Sequence, residues 1–167
     1  IRDRLIADEV QCGLGRTGQP FYSSELGLTP DLMSLGKALG AGIPIGAALL
    51  SDKVSNSVSY GDHGSTYGGN LLACQAALVF LNALEDGLIQ RVAEAGQRLH
   101  SGLDTLISAS DQLLEVRGAG LLCGSDVDIA VADQVVSTAL NHKLLINRTA
   151  GTVVRLLPPL TISDHDI

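Results

Sequence analysis

The chain has 167 residues, of which 46% are hydrophobic and 17% are charged, and its formal net charge is −7. The apolar share is too high, and the charge too sparse, for a disordered chain. An acidic balance without a basic run argues against a nucleic-acid partner or an anionic membrane surface. No stretch approaches the ~18 charge-free apolar residues of a membrane span, and the start shows no signal-peptide pattern. We therefore expect a cytoplasmic protein of one domain, or of one domain and part of another.

Apolar residues recur in a pattern that alternates between short strands and helices, which is typical of an α/β chain. Strands are predicted at residues 5–8, 32–35, 45–50, 113–116, 121–123, 144–146 and 153–156. Helices are predicted at residues 71–84, 89–107 and 131–141. A further helix is expected to begin at Ser163, because Asp166 follows it at the spacing of a helix cap. The composition changes near residues 84–89, so we place a domain boundary between residues 1–86 and 87–167.

The cysteines are three in number, at positions 12, 74 and 123. Their number is odd and no pair has the spacing of zinc ligands. We therefore expect reduced thiols and no metal site.

The run GLGRTG at residues 13–18 matches the dinucleotide-binding pattern G-x-G-x-x-G. In that motif the first glycine closes a strand and the last opens a helix onto the pyrophosphate. Here residues 8–12 intervene after the strand, and no helical pattern follows Gly18. A plain glycine-rich loop is favoured, with a nucleotide-binding module as the alternative.

Lys37 is one of only three lysines, and it follows an apolar strand in the small-residue segment 34–42. Enclosure there would favour the neutral amine, which can attack a carbonyl, and small neighbours would leave room for a planar cofactor. The alternative is a lysine that extends from a loop into solvent.

Two further segments carry groups that could bind a ligand. Asp8 and Glu9 end a strand, where the ligands of α/β proteins lie, and a carboxylate there can pair with the ring nitrogen of pyridoxal phosphate. The alternative is an acid pair that caps a helix or pairs within a loop. The hydroxyls and free amides of residues 61–70 lead into the helix at Leu71 and suit a phosphate or carboxylate. The alternative there is a capped helix with a flexible lead-in.

Together these segments resemble the class III pyridoxal-phosphate-dependent aminotransferases. The matching runs are LIADEVQCG at residues 5–13, GRTG at 15–18, TPD at 29–31, KALG at 37–40 and HGSTYGGN at 63–70. They occur in order over essentially the whole chain. Within the class, residues 9–13 and VRLLPPL at 154–160 are most similar to the members that act on N-acetylornithine.

The resemblance implies a set of cofactor-binding residues. Lys37 would be the catalytic residue: it would bind pyridoxal phosphate covalently and later move a proton between substrate and cofactor. Asp8 would pair with the ring nitrogen, and Glu9 beside it is included in the set. Val10 would pack on one face of the ring, and Gln11 would lie near its hydroxyl oxygen.

The resemblance also implies residues that act from other parts of the chain. Thr66 would bind the cofactor phosphate across the interface of a homodimer, and Ser65 would contact the substrate. Arg155 is a candidate for a substrate carboxylate, because arginine suits bidentate binding. Its alternative is an ordinary ion pair at a domain interface.

The implied architecture is the C-terminal part of a fold-type-I large domain at residues 1–86, followed by a small α+β domain at 87–167 without its last helix. The implied reaction transfers an amino group from N-acetylornithine, or a related ω-amino donor, to 2-oxoglutarate in arginine biosynthesis. The family's N-terminal half has no counterpart, so we expect the isolated chain to lack half of the cofactor pocket. The alternative is a non-catalytic remnant, or a subunit of a split enzyme that needs a partner chain.

Overall fold

Two compact units make up the part of the chain that the computed structural model describes, residues 4–167. The first unit contains residues 4–15 and Gln19–Ile89, and the second contains Arg16–Gly18 and Gln90–Ile167. The chain therefore enters the second unit briefly, through three residues, before it returns and later crosses again near residue 89.

The first unit is built on a three-stranded sheet of order β1-β2-β3. Strand β1 pairs with β2 in parallel, and β2 pairs with β3 in antiparallel. The strands are β1 (Ile6–Asp8), β2 (Leu32–Leu35) and β3 (Ala47–Leu50), and the helices are α1 (Tyr22–Glu25), α2 (Asp52–Ser55) and α3 (Leu71–Ala83). The strands predicted at 5–8 and 32–35 are confirmed to within one residue. The glycine-rich run at residues 13–18 is a loop, as favoured, and the short helix α1 follows it.

The core of the first unit joins the loop after β1 to the sheet and to α3. Leu14 from this loop is only 3% exposed and packs with Met33 and Leu35 of β2 and with Ala77 and Leu84. The side chain of Leu14 therefore anchors the glycine-rich loop on the core of the first unit.

The helix α3 is separated from α4 (Ile89–Ala109) by two residues whose backbone is not helical. Asp86 and Gly87 are not helical, and Gly87 has a φ of 103°, which glycine adopts at the end of a helix at little cost. The two helices are thus confirmed, together with the glycine that ends the first one. The segment Leu71–Ala109 is long and apolar enough, by length and composition alone, to cross a membrane. The break leaves α3 with 13 residues, against the ~20 that a span needs.

The second unit contains a four-stranded antiparallel sheet of order β4-β5-β7-β6. Its remaining elements are β4 (Leu113–Ala119), β5 (Leu122–Val127), α5 (Ala132–Asn141), β6 (Asn147–Thr149) and β7 (Val153–Leu156). The helix predicted at 131–141 and the strand predicted at 153–156 are confirmed. Val127, Ala132 and Val154 form a core between the sheet and α5, and α4 buries Val92 and Ala95.

The strand predicted at residues 144–146 is wrong, because the end of α5 uses the backbone of this segment. Lys143 has a left-handed φ of 65°, and its amide donates to the Leu140 carbonyl oxygen at 2.9 Å. The Leu144 amide donates to the Ala139 carbonyl oxygen, also at 2.9 Å. This pair of bonds is a Schellman cap. The strand therefore begins only at Asn147.

The helix predicted to begin at Ser163 is a turn at residues 164–166. Its cap is nevertheless formed: the Asp166 amide donates to Ser163 Oγ at 3.2 Å, and the Ser163 hydroxyl donates to Asp166 Oδ2.

The three residues Arg16–Gly18 belong to the second unit because they pack on the turn between β4 and β5. Gly120 has a φ of 53°, and a Cβ on it would stand 2.4 Å from the Thr17 carbonyl carbon. The Leu121 amide donates to the Arg16 carbonyl oxygen at 3.0 Å. The Arg16 guanidinium donates to the carbonyl oxygens of Leu121 and Pro158, at 3.3 and 2.6 Å. Only glycine at position 120 permits this approach.

Candidate active site

The ends of β1 and β2 bring four of the predicted site residues together. Because the two strands are parallel, their carboxyl ends lie at the same edge of the sheet. Asp8 is the last residue of β1, and Lys37 follows β2 by two residues. The Lys37 Nζ donates to Gln11 Oε1 at 3.0 Å. A Cβ on Gly36 would stand 3.5 Å from Val10 Cγ1, so Val10 lies directly against the backbone that precedes the lysine.

Asp8 presents an ionised carboxylate at this edge. Its Oδ1 accepts hydrogen bonds from the Val10 amide at 3.1 Å and from the Ser34 hydroxyl at 3.0 Å. The bond from the Val10 amide, followed by that from the Ser34 hydroxyl, holds the pKa of Asp8 below its ordinary value. Desolvation opposes this change, and the charge of Lys37 supports it. The carboxylate is therefore an acceptor suited to a positively charged N–H group.

Lys37 differs from the environment expected for it. Its side chain is exposed rather than enclosed. The alternative, a lysine that extends from a loop into solvent, describes its environment in this structure. Its backbone φ is 45°, a conformation that is strained by roughly 1–3 kcal/mol in a residue other than glycine. Such strain is found most often at functional positions.

Glu9 has a different environment from the neighbouring Asp8. Only 2% of it is exposed. Its carboxylate accepts hydrogen bonds from the Ser23 amide at 2.6 Å, the Tyr22 amide at 3.1 Å and the Cys12 thiol at 3.2 Å. Burial acts to raise the pKa of Glu9, but the bonds from Ser23, Cys12 and Tyr22 together lower it below its ordinary value. Both oxygens of Glu9 are thus used inside the fold to hold the start of α1, and its predicted place among the cofactor-binding residues stays a prediction.

Ser65 and Thr66 lie in the exposed loop at residues 57–70 that precedes α3. The cap of that helix is Asn70, whose Oδ1 accepts from the Ala73 amide at 3.1 Å. Among the hydrogen bonds of residues 4–167, none links Ser65 or Thr66 to Asp8 or Lys37. Their roles therefore stay predictions.

Arg155 lies on β7 in the second unit and is half-buried. Its Nε donates to Asn147 Oδ1 at 3.3 Å on the neighbouring strand. Within residues 4–167, Arg155 forms no ion pair with a carboxylate of the protein. Its role toward a substrate carboxylate stays a prediction.

The glycine-rich run at residues 13–18 does not form a nucleotide site. The first helix after it is α1, which has four residues and begins only at Tyr22. The amides of Leu14 and Gly15 both donate to the Pro20 carbonyl oxygen, at 2.8 and 3.4 Å. A phosphate-binding loop directs its amides at the ligand, whereas these are used inside the loop. The nucleotide-binding alternative is wrong for this reason.

The three cysteines form no disulfide bonds in the structure. Cys123 is buried, while Cys12 and Cys74 are partly buried. Burial, followed by the hydrogen bond and charge of Glu9, raises the pKa of Cys12 to about 11. Within residues 4–167, no group of three or more His, Cys, Asp and Glu side chains could hold a metal ion.

Ser34 is a residue of this site that the sequence analysis missed. The signal for it was weak: a single hydroxyl in the apolar strand LMSL. Ser34 can be assigned to the site only from the structure, because the pairing of β1 with β2 places it beside Asp8.

Comparison with known proteins shows the family of the chain. The family model described as Aminotransferase class-III matches residues 4–167, and the chain therefore belongs to the class III aminotransferases. Acetylornithine aminotransferase of Methanocaldococcus jannaschii is 46% identical over 98% of this chain and 41% of that protein. The mitochondrial acetylornithine aminotransferase of Alnus glutinosa is 39% identical over 98% of this chain and 36% of that protein. The chain thus spans about two fifths of the length of these relatives.

Solved structures confirm the predicted α/β fold class. The ornithine aminotransferase of Toxoplasma gondii superposes with a TM-score of 0.90 and 36% identity, covering 97% of this chain and 40% of that one. The acetylornithine aminotransferase of Elizabethkingia anophelis superposes with a TM-score of 0.88 and 35% identity, covering 97% of this chain and 44% of that one.

Proposed function

We propose that this chain carries the lysine side of the cofactor site of a pyridoxal-phosphate-dependent aminotransferase. The observation that supports this proposal is the cluster of Asp8, Val10, Gln11 and Lys37 at the shared edge of β1 and β2. In the proposed assignment, residues 1–86 are part of the large cofactor-binding domain and residues 87–167 form the small domain.

The described residues fit pyridoxal phosphate chemically. The primary amine of Lys37 can react with its aldehyde. The carboxylate of Asp8, kept ionised by its hydrogen bonds, suits the protonated ring nitrogen. Val10 offers an apolar surface beside Gly36, and Gln11 offers an amide for the ring hydroxyl. When bound, the cofactor would supply an electron sink for the negative charge that develops on the substrate carbon bearing the transferred amino group.

The residues of the chain then divide the work of binding and proton transfer. Asp8 would keep a proton on the ring nitrogen, because its ionised oxygens accept but do not donate. Lys37 Nζ would hold and return the proton of the substrate carbon, as a general base and then a general acid. Gln11 already accepts from Lys37 Nζ at 3.0 Å. It would keep that amine oriented while it first takes up and then returns the proton.

The identity of the donor and the remaining contacts form the second part of the proposal. The relatives named above are acetylornithine aminotransferases, which favours N-acetylornithine as amino donor and 2-oxoglutarate as acceptor, in arginine biosynthesis. Thr66 would bind the cofactor phosphate of the other subunit in a homodimer, Ser65 would contact the substrate, and Arg155 would bind a substrate carboxylate. We expect a cytoplasmic location and no binding to nucleic acids or membranes.

The cofactor assignment is tested by mixing the purified chain with pyridoxal phosphate, reducing with borohydride and mapping the labelled peptides. Label on Lys37 alone is expected, with Lys53 and Lys143 as internal controls in the same molecule. Loss of the label in Lys37→Ala, with the fold intact by circular dichroism, would support the assignment. Label spread over all three lysines would contradict it.

The donor is tested separately by measuring glutamate formed from 2-oxoglutarate. N-acetylornithine, N-succinylornithine, ornithine and 4-aminobutyrate are each offered as amino donor to the cofactor-loaded chain, co-expressed with the N-terminal half of a class III aminotransferase because the isolated chain is expected to lack half of the cofactor pocket. The highest kcat/KM is expected for N-acetylornithine, and a higher value for ornithine or 4-aminobutyrate would refute this choice of donor.

A further inference from the structure

The two strands that carry the site also place a hydroxyl beside Asp8. In the parallel pair, Asp8 of β1 is in register with Ser34 of β2. Residues paired in this way project from the same face of the sheet. The Ser34 hydroxyl accordingly donates to Asp8 Oδ1 at 3.0 Å, while its carbonyl oxygen accepts from the Glu9 amide at 3.0 Å.

The carboxylate of Asp8 is held through one of its two oxygens. Oδ1 accepts from both the Ser34 hydroxyl and the Val10 amide. Among the hydrogen bonds of residues 4–167, none is formed by Oδ2. Two donors on the same oxygen restrict the rotation of the carboxylate, and they leave the other oxygen for a ligand.

We propose that Ser34 is a positioning residue of the aminotransferase site: its hydroxyl fixes the carboxylate of Asp8 so that Oδ2 remains for the ring nitrogen of the cofactor. This inference rests on the function proposed above. It assigns to Ser34 a role that acts through Asp8 and not through contact with the substrate.

The charges around Asp8 support this role. The hydrogen bond from Ser34 lowers the pKa of Asp8, second only to that from the Val10 amide. The ammonium of Lys37 is the charged group whose field also lowers it. The thiol of Cys12 donates to the Asp8 carbonyl oxygen and remains neutral, because its own pKa is about 11. The other neighbouring carboxylate, that of Glu9, is buried and accepts hydrogen bonds from the amides of α1.

The test compares Ser34→Ala with Ser34→Thr, which keeps the hydroxyl. The pKa of Asp8 is measured by carbon NMR of the side-chain carboxyl groups in the cofactor-free chain, and the signal is assigned by its loss in Asp8→Asn. Ser34→Ala should raise the pKa of Asp8, while Ser34→Thr should keep it near the wild-type value. Ser57→Ala, which removes an exposed hydroxyl outside the site, should not change it.

A second measurement is the dissociation constant of pyridoxal phosphate from changes in visible absorbance. Because Ser34 would act on the cofactor only through the exposed Asp8, its loss should cost less than a full hydrogen bond to a charged group, and roughly threefold to tenfold weaker binding is expected in Ser34→Ala, with recovery in Ser34→Thr. An unchanged pKa of Asp8 in Ser34→Ala would overturn the inference. A wild-type chain that does not bind the cofactor would instead refute the proposed function, and the NMR titration would still decide whether Ser34 positions Asp8.

Discussion

Replacement of Glu9 by Gln removes the charge that holds the start of α1. In the wild-type chain, Glu9 Oε1 accepts from the Ser23 amide at 2.6 Å, and Oε2 accepts from the Tyr22 amide at 3.1 Å. These are amides of the first turn of α1, which have no partner within the helix. Glutamine keeps one oxygen, but its NH2 group must replace the other oxygen and cannot accept from an amide.

The size of the effect follows from two contributions. Loss of the charge weakens the remaining hydrogen bond, because bonds to charged groups contribute about 1.5–3 kcal/mol and neutral ones about 1 kcal/mol. The second amide, that of Tyr22, is left partly buried without an acceptor, which costs about 1–3 kcal/mol. The two together predict a loss of roughly 3 kcal/mol in the free energy of unfolding, which corresponds to a urea midpoint lower by about 1–2 M.

The assay is urea unfolding followed by circular dichroism, with Glu25→Gln as the matched control. Glu25 is an exposed residue of the same helix, so its substitution should change stability by less than about 0.5 kcal/mol. Amide hydrogen exchange at Tyr22 and Ser23 should also accelerate in Glu9→Gln. Equal midpoints for the two variants would refute the assignment of Glu9 to the fold.

The loss of stability in Glu9→Gln should depend on pH, and the pKa of Glu9 gives the direction. Since the pKa of Glu9 is lowered in the folded chain, its stabilisation is present above the ordinary glutamate pKa of about 4.3. It is lost as the pH falls through the lowered value. The difference in the free energy of unfolding between wild type and Glu9→Gln should therefore be largest at pH 7 and should decrease in acid.

Three other substitutions or measurements test the fold at separate points. Gly120→Ala should lower the melting temperature by about 10 °C, because the new Cβ would stand 2.4 Å from the backbone it packs against; Gly102→Ala, whose Cβ would meet nothing within 4 Å, should leave it unchanged or slightly higher. Lys143→Gly should raise the free energy of unfolding by about 1 kcal/mol, since glycine is preferred at the left-handed residue of a Schellman cap. Lys53→Gly, inside α2, should lower it in the same urea titration. The rate of Cys12 alkylation by iodoacetamide should rise up to a pH of about 11; a plateau near the ordinary thiol pKa would contradict the burial and the Glu9 contact.

The elements that could be predicted from the sequence are those with a strong local pattern. The helix at Leu71–Ala83 and its end at Gly87 were predictable because the apolar spacing and the glycine act within one or two turns. The strand at residues 144–146 was not, because its apolar residues satisfy the pattern of a strand while the cap at Lys143 already uses the backbone of Leu144. Hydrophobicity records which side chains are buried, and it does not record which amides are already bonded.

The same limit applies to the site. The conjunction of Asp8 and Lys37 could be predicted, because each follows an apolar strand and carries a group with distinctive chemistry. The burial of Glu9 and the contact of Ser34 could not, because both depend on which residues face each other across β1 and β2. The glycine run at 13–18 matches a nucleotide-binding pattern, but the plain loop that was favoured is what the structure contains: its glycines permit turns and close contacts inside the fold, such as that of Gly13 with the Glu9 carbonyl oxygen.

Two consecutive carboxylates thus perform different tasks, because Asp8 ends β1 whereas Glu9 follows the strand, where the chain turns toward α1. Asp8 is exposed at the sheet edge, while Glu9 is buried and bonded to the amides of α1. The tasks are nevertheless linked, since Glu9 anchors the loop that carries Val10, and the Val10 amide is one of the two donors on Asp8 Oδ1. Glu9→Gln should therefore disturb both the stability of the chain and the orientation of Asp8. Ser34→Ala should disturb the orientation of Asp8 with little effect on stability, and this contrast separates residues that build the loop from those that position the carboxylate.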